Sequence, residues 1–196
     1  MIAGITGGMG CGKSAVARLL EARGFRRLDS DALIRERVFT APEVRAAVRS
    51  RHGDRAFRPD GSVDRAALAD RIFADEGEAE LRWLEELTHP ALFRIWREEF
   101  AAHPGARWAV ETPLLFEKEL ENWFDFTVCV ACAPEQQLAR LEQRGIPRVL
   151  AGRRISKQLP LARKIELSDF VLWNEGSLEF LAVQVDRLMI ALAGSS

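Results

Sequence analysis

No apolar run in the sequence approaches the roughly 18 consecutive residues that a membrane-spanning helix needs, which excludes a helical membrane protein. Cysteine is scarce, with Cys11, Cys129 and Cys132 as the whole complement. Three thiols do not make a disulfide framework, and they point to a reducing cytoplasm. A surplus of one charge is missing too, because acids and bases nearly cancel to a formal charge of −1. Without a global polycation, nucleic acid is not implied as a partner. Internal repeats and low-complexity tracts are likewise absent. A glycine-rich turn follows directly on Ile2 to Thr6, leaving no room for a secretory apolar segment. A soluble cytoplasmic protein is therefore expected.

What is there is an ordinary globular composition in 196 residues, enough for one compact domain with a smaller insert. Short apolar runs at Ile2 to Thr6, Phe25 to Leu28, Trp108 to Glu111, Phe126 to Val130 and Phe170 to Trp173 read as strands. Helical patterns separate them, so the chain is predicted to be α/β around a mostly parallel sheet, with ligands at the carboxyl ends of the strands. Residues 32–105 show helix signals and no convincing strand. Pro42 opens one pattern, the Asp60-Gly61 turn precedes another, and Pro90 is expected to restart the stripe of Leu81, Leu84 and Leu87. Residues 140–164 hold Arg140, Arg144, Arg148, Arg153, Arg154, Lys157, Arg163 and Lys164 against the single acid Glu142. Pro147 and Pro160 bracket this basic patch.

The chemistry is carried by residues 7–14, GGMGCGKS, which satisfy G-x-x-x-x-G-K-[ST] between a predicted strand and a predicted helix. Gly7, Gly8, Gly10 and Gly12 let backbone N–H groups approach phosphate oxygens without a Cβ in the way. The following helix aims its unpaired N–H groups at the same anion. Lys13 adds a mobile charge for the β- and γ-phosphates of ATP, and the Ser14 hydroxyl is the candidate ligand for Mg²⁺. Gly10, Gly12 and Ala15 also match the dinucleotide fingerprint G-x-G-x-x-A. That reading is set aside, because Asp29 and Asp31 fall short of the expected acidic position about 20 residues on and Lys13 and Ser14 would go unexplained.

Asp31, just beyond the second strand, suits a base that accepts the proton of an attacking hydroxyl, or equally a cap for the helix over 32–38. Glu111 closes the third strand as a holder of a magnesium-bound water or as a solvated strand end. The arginine patch serves as cations over a migrating phosphoryl group or as a solvated helix face. Cys129 and Cys132 spell C-x-x-C, but three residues apart on a strand they point to opposite faces and read as core cysteines. Trp83 and Trp96 belong to the hydrophobic stripe of the insert or line an acceptor groove.

Together the segments ITGGMGCGKS, LDSDALIRERV, DGSVDRAAL, LTHP, ETPLLFE and WNEGSLEFLAVQV resemble the dephospho-CoA kinase family over nearly the whole chain. The resemblance implies a P-loop fold with a five-stranded parallel sheet. Its parts would be a nucleotide-binding core (1–31, 106–139 and 165–196), a helical acceptor-binding insert (32–105) and a basic lid (140–164). It further implies ATP and Mg²⁺ as cofactors, dephospho-CoA as acceptor, Asp31 as catalytic base with Lys13, and Arg140 as the lid-side arginine on the phosphates. Gly8, Gly10, Cys11, Gly12, Lys13, Ser14 and Ala15, with Asn174 and Gly176 of the N-x-G loop, would hold the nucleotide. Thr6, Asp31, Arg65, His89, Pro113, Leu114, Leu115 and Glu117 would surround the acceptor.

Three departures stand out: Ala15 where the family often has threonine, Gly145 where it commonly has aspartate, and Cys11 where serine is frequent. The position of Cys11 suggests that its oxidation blocks ATP. The rival readings are another small-molecule P-loop kinase and a nucleotide-sensing module without transfer; the N-K-x-D motif of a GTPase is absent. No membrane or nucleic-acid partner is expected, and the chain is expected as a monomer or weak oligomer.

Overall fold

The computed structural model describes residues 1–72 and 77–194, with side chains outside 69–78. Two compact units divide the chain, Met1–Asp29 with Gly105–Ser196 and, separately, Ser30–Pro104.

The first unit is built on a parallel five-stranded sheet in the order β2-β3-β1-β4-β5. Its strands are β1 (Ile2–Gly7), β2 (Phe25–Asp29), β3 (Arg107–Glu111), β4 (Phe126–Ala131) and β5 (Phe170–Trp173). Every residue of β4, and all but the first of β1, is buried, as expected of strands covered on both faces. Helix α1 (Lys13–Glu21) turns Val16, Ala17 and Leu20 inward. Helix α9 (Leu178–Gly194) does the same with Leu181, Val185 and Leu188. These residues and the strand interiors form one apolar cluster. Burying each large side chain of this kind contributes roughly 1.5–3 kcal/mol.

Between β4 and β5 lie α6 (Pro134–Gln143), α7 (Arg148–Ser156) and α8 (Leu161–Leu167), with Pro147 and Pro160 at the N-caps of the last two. Gly145 has a left-handed φ of 78°. Its N–H donates to Glu142 O at 2.9 Å while that of Ile146 reaches Leu141 O at 3.0 Å. This pair of bonds is a Schellman stop for α6.

The second unit contains α2 (Ser30–Leu33), a π-helical turn (Ile34–Val38), α3 (Pro42–His52), α4 (Arg65–Ile72) and α5 (Gly77–Ala102). Among its described residues the only β pairing is the bridge Phe57↔Val63. Val38, Val44, Val48, Val63, Leu68 and Ile95 form its core. The expected break at Pro90 is corrected: α5 runs through it. Leu84, Leu87, Ala91 and Ile95 pack into one cluster from both sides of the proline. That shared burial outweighs the roughly 3 kcal/mol that an interior proline costs a helix.

Candidate functional site

At the carboxyl end of the central strand β1 the chain turns through residues 8–12 into α1. Gly12, the N-cap of α1, has a left-handed φ of 98°. A Cβ there would lie 2.2 Å from Asn174 Nδ2. Only glycine meets both conditions. Lys13 Nζ spans the loop, donating to Gly7 O at 3.1 Å and Gly8 O at 3.0 Å. The amides of Ala15 and Val16 already close on Gly12 O, which fixes the first turn of the helix behind the loop.

Ser14 Oγ donates to Glu111 Oε2 at 2.7 Å. Glu111 is only 5% exposed, so its charge needs a partner, and Arg27 Nε supplies one by donating to Oε1 at 2.7 Å. Arg27 Nη2 also donates to Asp29 Oδ2 at 3.3 Å. Burial works against the Arg27 charge, but the Glu111 hydrogen bond and the carboxylates of Glu111, Asp29 and Glu21 hold its guanidinium above the ordinary value. Strand register builds the row, with Asp29 beside Glu111 and Glu111 beside Ile5. Sequence reasoning missed Arg27, although its place two residues before Asp29 on one strand puts both on the same face.

The loop is gripped from two sides. Asn174 Nδ2 donates to Cys11 O at 2.8 Å, and the Asn174 amide donates to Ala131 O at 2.7 Å. Arg140, on the last turn of α6, donates through Nη2 to Asn174 O at 2.9 Å and through Nη1 to Gly10 O at 3.5 Å. Arg140 thus belongs to the wall of the loop. Gln136 Nε2 donates to Glu175 O at 3.1 Å beside the exposed Gly176. Gly8 and Gly10 are buried, and Ala15 packs against the apolar cluster.

Cys11 is fully buried, with its Sγ 3.4 Å from Cys132 Sγ. The Cys132 thiol donates to Cys11, and with the attraction of Lys13 this lowers the Cys11 pKa despite burial. Cys132 is pushed up by the same hydrogen bond and by burial. Burial also pushes Cys129 up, to about 12.

The P-L-L-F-E segment is latched to α8. Lys164, fully buried, donates through Nζ to Pro113 O at 2.6 Å and pairs with Glu117 Oε1 at 2.8 Å. Glu117 Oε1 also accepts the Leu159 N–H at 2.8 Å. Thr6, fully buried, donates to Pro113 O at 3.3 Å. Leu115 is fully buried beneath β1, where its Cδ1 lies 2.7 Å from the position of a Gly4 Cβ. Of the acceptor residues expected in this unit, Pro113, Leu114 and Glu117 are partly open, whereas Thr6 and Leu115 are fully buried. The Lys164 latch had no signal beyond membership of a basic patch.

The remaining residues lie in the second unit. Asp31 is exposed on α2, two positions after the end of β2. Arg65 begins α4, and half-buried His89 sits on α5 with its ring 5.7 Å from that of Phe93. Trp96 is fully buried, and Trp83 stacks edge-on against His52. No group of three or more His, Cys, Asp or Glu that could hold a metal exists among the described residues.

The sequence profile of the dephospho-CoA kinase family matches residues 1–179. The chain is 44% identical over 186 residues to the dephospho-CoA kinase of Thermosynechococcus vestitus, covering 94% of this chain and 91% of that protein. It is 41% identical over 199 residues to that of Anaeromyxobacter dehalogenans, covering 98% and 92%. Among solved structures, a Thermus thermophilus protein superposes with a TM-score of 0.81 at 35% identity, covering 98% and 97%. A P-loop at the head of a parallel sheet, matched over this length, makes the chain a member of the dephospho-CoA kinase family.

Proposed function

We propose that the chain transfers the γ-phosphoryl group of ATP to the ribose 3′-hydroxyl of dephospho-CoA, giving CoA and ADP in the last step of CoA biosynthesis. The observation that carries this reading is the loop at the end of β1, crossed by the Lys13 ammonium and flanked by the Ser14–Glu111 oxygen pair, in a chain of this family.

Phosphoryl transfer asks the protein for position and compensating charge rather than covalent chemistry. Loop amides and the N-terminus of α1 receive the phosphate oxygens, and Lys13 neutralises charge between them. Ser14 and Glu111 offer facing hydroxyl and carboxylate oxygens, a hard donor set of the kind Mg²⁺ prefers. Mg²⁺, when bound, would neutralise the phosphate charge, with Ser14 holding it directly and Glu111 through water. Arg140 adds a cation anchored beside the loop. Asp31 accepts the 3′-hydroxyl proton as the oxygen attacks phosphorus in line. Asn174 holds the loop shape, and the segment through Gly176 borders the adenine. His89 and Arg65 serve the acceptor from the helical unit, and Pro113 and Leu114 from the loop after β3. Residues 140–164 would act as the lid, with Arg140 at its base. Three free cysteines suit a cytoplasmic setting. No helix among the described residues is long and apolar enough to cross a membrane.

Incubation with Mg-ATP and, in parallel, dephospho-CoA, AMP, CMP or shikimate, followed by mass spectrometry, tests the assignment. The expected product is CoA from the first mixture; product from another acceptor alone would reject it.

A further inference from the structure

Strand β4 runs parallel to β1 with Val130 beside Gly7, so the phosphate loop that continues from Gly7 meets the chain as it leaves β4 at Ala131. That register brings Cys11 Sγ to 3.4 Å from Cys132 Sγ across 121 residues of sequence, with both side chains buried. We propose that Cys11 and Cys132 form an oxidation site, at which peroxide joins the two sulfurs in a disulfide that deforms the phosphate loop. Its effect on ATP rests on the function proposed above.

The two sulfurs are unequal, as such a reaction needs. The hydrogen bond from Cys132 and the charge of Lys13 outweigh burial and lower the Cys11 pKa to about 7, so much of Cys11 is thiolate near neutral pH. Cys132 keeps its proton, which it donates to Cys11. The thiolate is the form that attacks peroxide. When Cys11 sulfur takes one peroxide oxygen, the O–O bond breaks, hydroxide leaves, and Cys11 becomes a sulfenic acid. The negative charge that held the Cys132 proton is then gone. Cys132 sulfur attacks Cys11 sulfur, the S–O bond breaks, and the departing hydroxyl takes the Cys132 proton as water. The proton that Cys11 first lost neutralises the hydroxide. Two electrons have passed from the sulfurs to hydrogen peroxide, giving one disulfide and two waters. Burial makes the first step slow, and it waits on local opening of the loop, but peroxide is little larger than water. Cys129, which burial pushes up to about 12, stays a thiol and serves as the internal control.

The loop has little slack around Cys11. Cys11 N donates to Gly8 O at 3.2 Å, and Cys11 O accepts from Asn174 Nδ2 at 2.8 Å. Cys11 Sγ lies 2.8 Å from the position of a Gly8 Cβ, and Gln137 O of α6 lies 2.9 Å from that of a Gly10 Cβ. To bond, the sulfurs must close by more than about 1 Å from their present contact. Strand β4 is buried throughout and paired on both sides, by β1 and β5, so the loop is the part that moves. A misplacement of about 1 Å is enough to cost on the order of a hundredfold in rate.

Treating the reduced full chain with hydrogen peroxide, followed by peptide mapping without reductant, tests this. The expected product is a Cys11–Cys132 cross-linked peptide that has lost two hydrogens, with turnover down roughly a hundredfold, weaker ATP binding by calorimetry, and recovery of both on adding dithiothreitol. By linkage, saturating ATP should lower the disulfide fraction in a glutathione buffer by the factor that the disulfide takes from ATP affinity. Cys132→Ala and Cys132→Ser are read in parallel, with circular dichroism checking each fold. Both should match the starting protein when reduced, then carry sulfinic acid on Cys11 after peroxide, which dithiothreitol does not reverse. No Cys11–Cys132 cross-link after peroxide overturns the proposal. So does a cross-linked chain that binds ATP and turns over like the reduced one. ATP affinity of the reduced chain is measured first: its absence would reject the proposed reaction, whereas the cross-link is scored by mass whatever the chain binds.

Discussion

The proposed reaction assigns different work to Lys13 and Asp31, and substitution separates the two. Lys13→Ala removes the cation that crosses the loop, so ATP affinity and turnover should both fall. Asp31→Asn keeps the loop intact. It should leave ATP affinity unchanged while turnover drops about 10²–10⁴-fold, the range of a positioned general base. Calorimetry and initial rates read the two effects, and unaltered turnover in Asp31→Asn would remove the base assignment. Cys11 offers a different test. Its pKa is lowered by the Cys132 hydrogen bond, whereas burial holds Cys129 up at about 12. Raising the pH toward 8 therefore raises the thiolate fraction at Cys11 well before Cys129. All three thiols are buried, so labelling waits on local opening; iodoacetamide should then take Cys11 slowly but ahead of the other two by peptide mapping, with activity lost in step. Full activity after Cys11 alkylation would show that the thiol is immaterial to ATP.

Helices and loops carry the next level of the account. The latch between α8 and the loop after β3 depends on a fully buried ammonium, so Lys164→Ala leaves Glu117 and Pro113 O without it. Breaking a buried pair from one side costs about 3–5 kcal/mol. The midpoint of urea unfolding should fall by that equivalent at unchanged slope, and an unmoved midpoint would mean that the latch does not hold the loop. Gly145 has an equally plain reading. Glycine, and next to it aspartate, tolerate the left-handed conformation in which Gly145 stops α6. Gly145→Ala should then cost about 1 kcal/mol in thermal unfolding, and Gly145→Asp less.

Strands β1 and β4 were legible in the sequence because a strand buried on both faces writes itself as a local apolar run. The P-loop was legible because its chemistry fits into eight consecutive residues. The grip on that loop was not. Asn174 reaches Cys11 across 163 residues, and Lys164 reaches Pro113 across 51. No periodicity or spacing encodes such contacts. Pro90 misled for a related reason, since local propensity says stop and the shared core on both sides says continue.

For the molecule as a whole, the sheet unit carries the phosphate loop with its Ser14–Glu111 oxygen pair, and the helical unit carries Asp31. The proposed reaction asks the chain to place one hydroxyl against one phosphorus. Phosphorus NMR of a reaction containing Mg-ATP and dephospho-CoA tests that claim most directly. The account predicts a new monoester signal on the ribose 3′-oxygen that grows in equal amount with ADP. Inorganic phosphate growing in its place, or a monoester on any other hydroxyl, would contradict it.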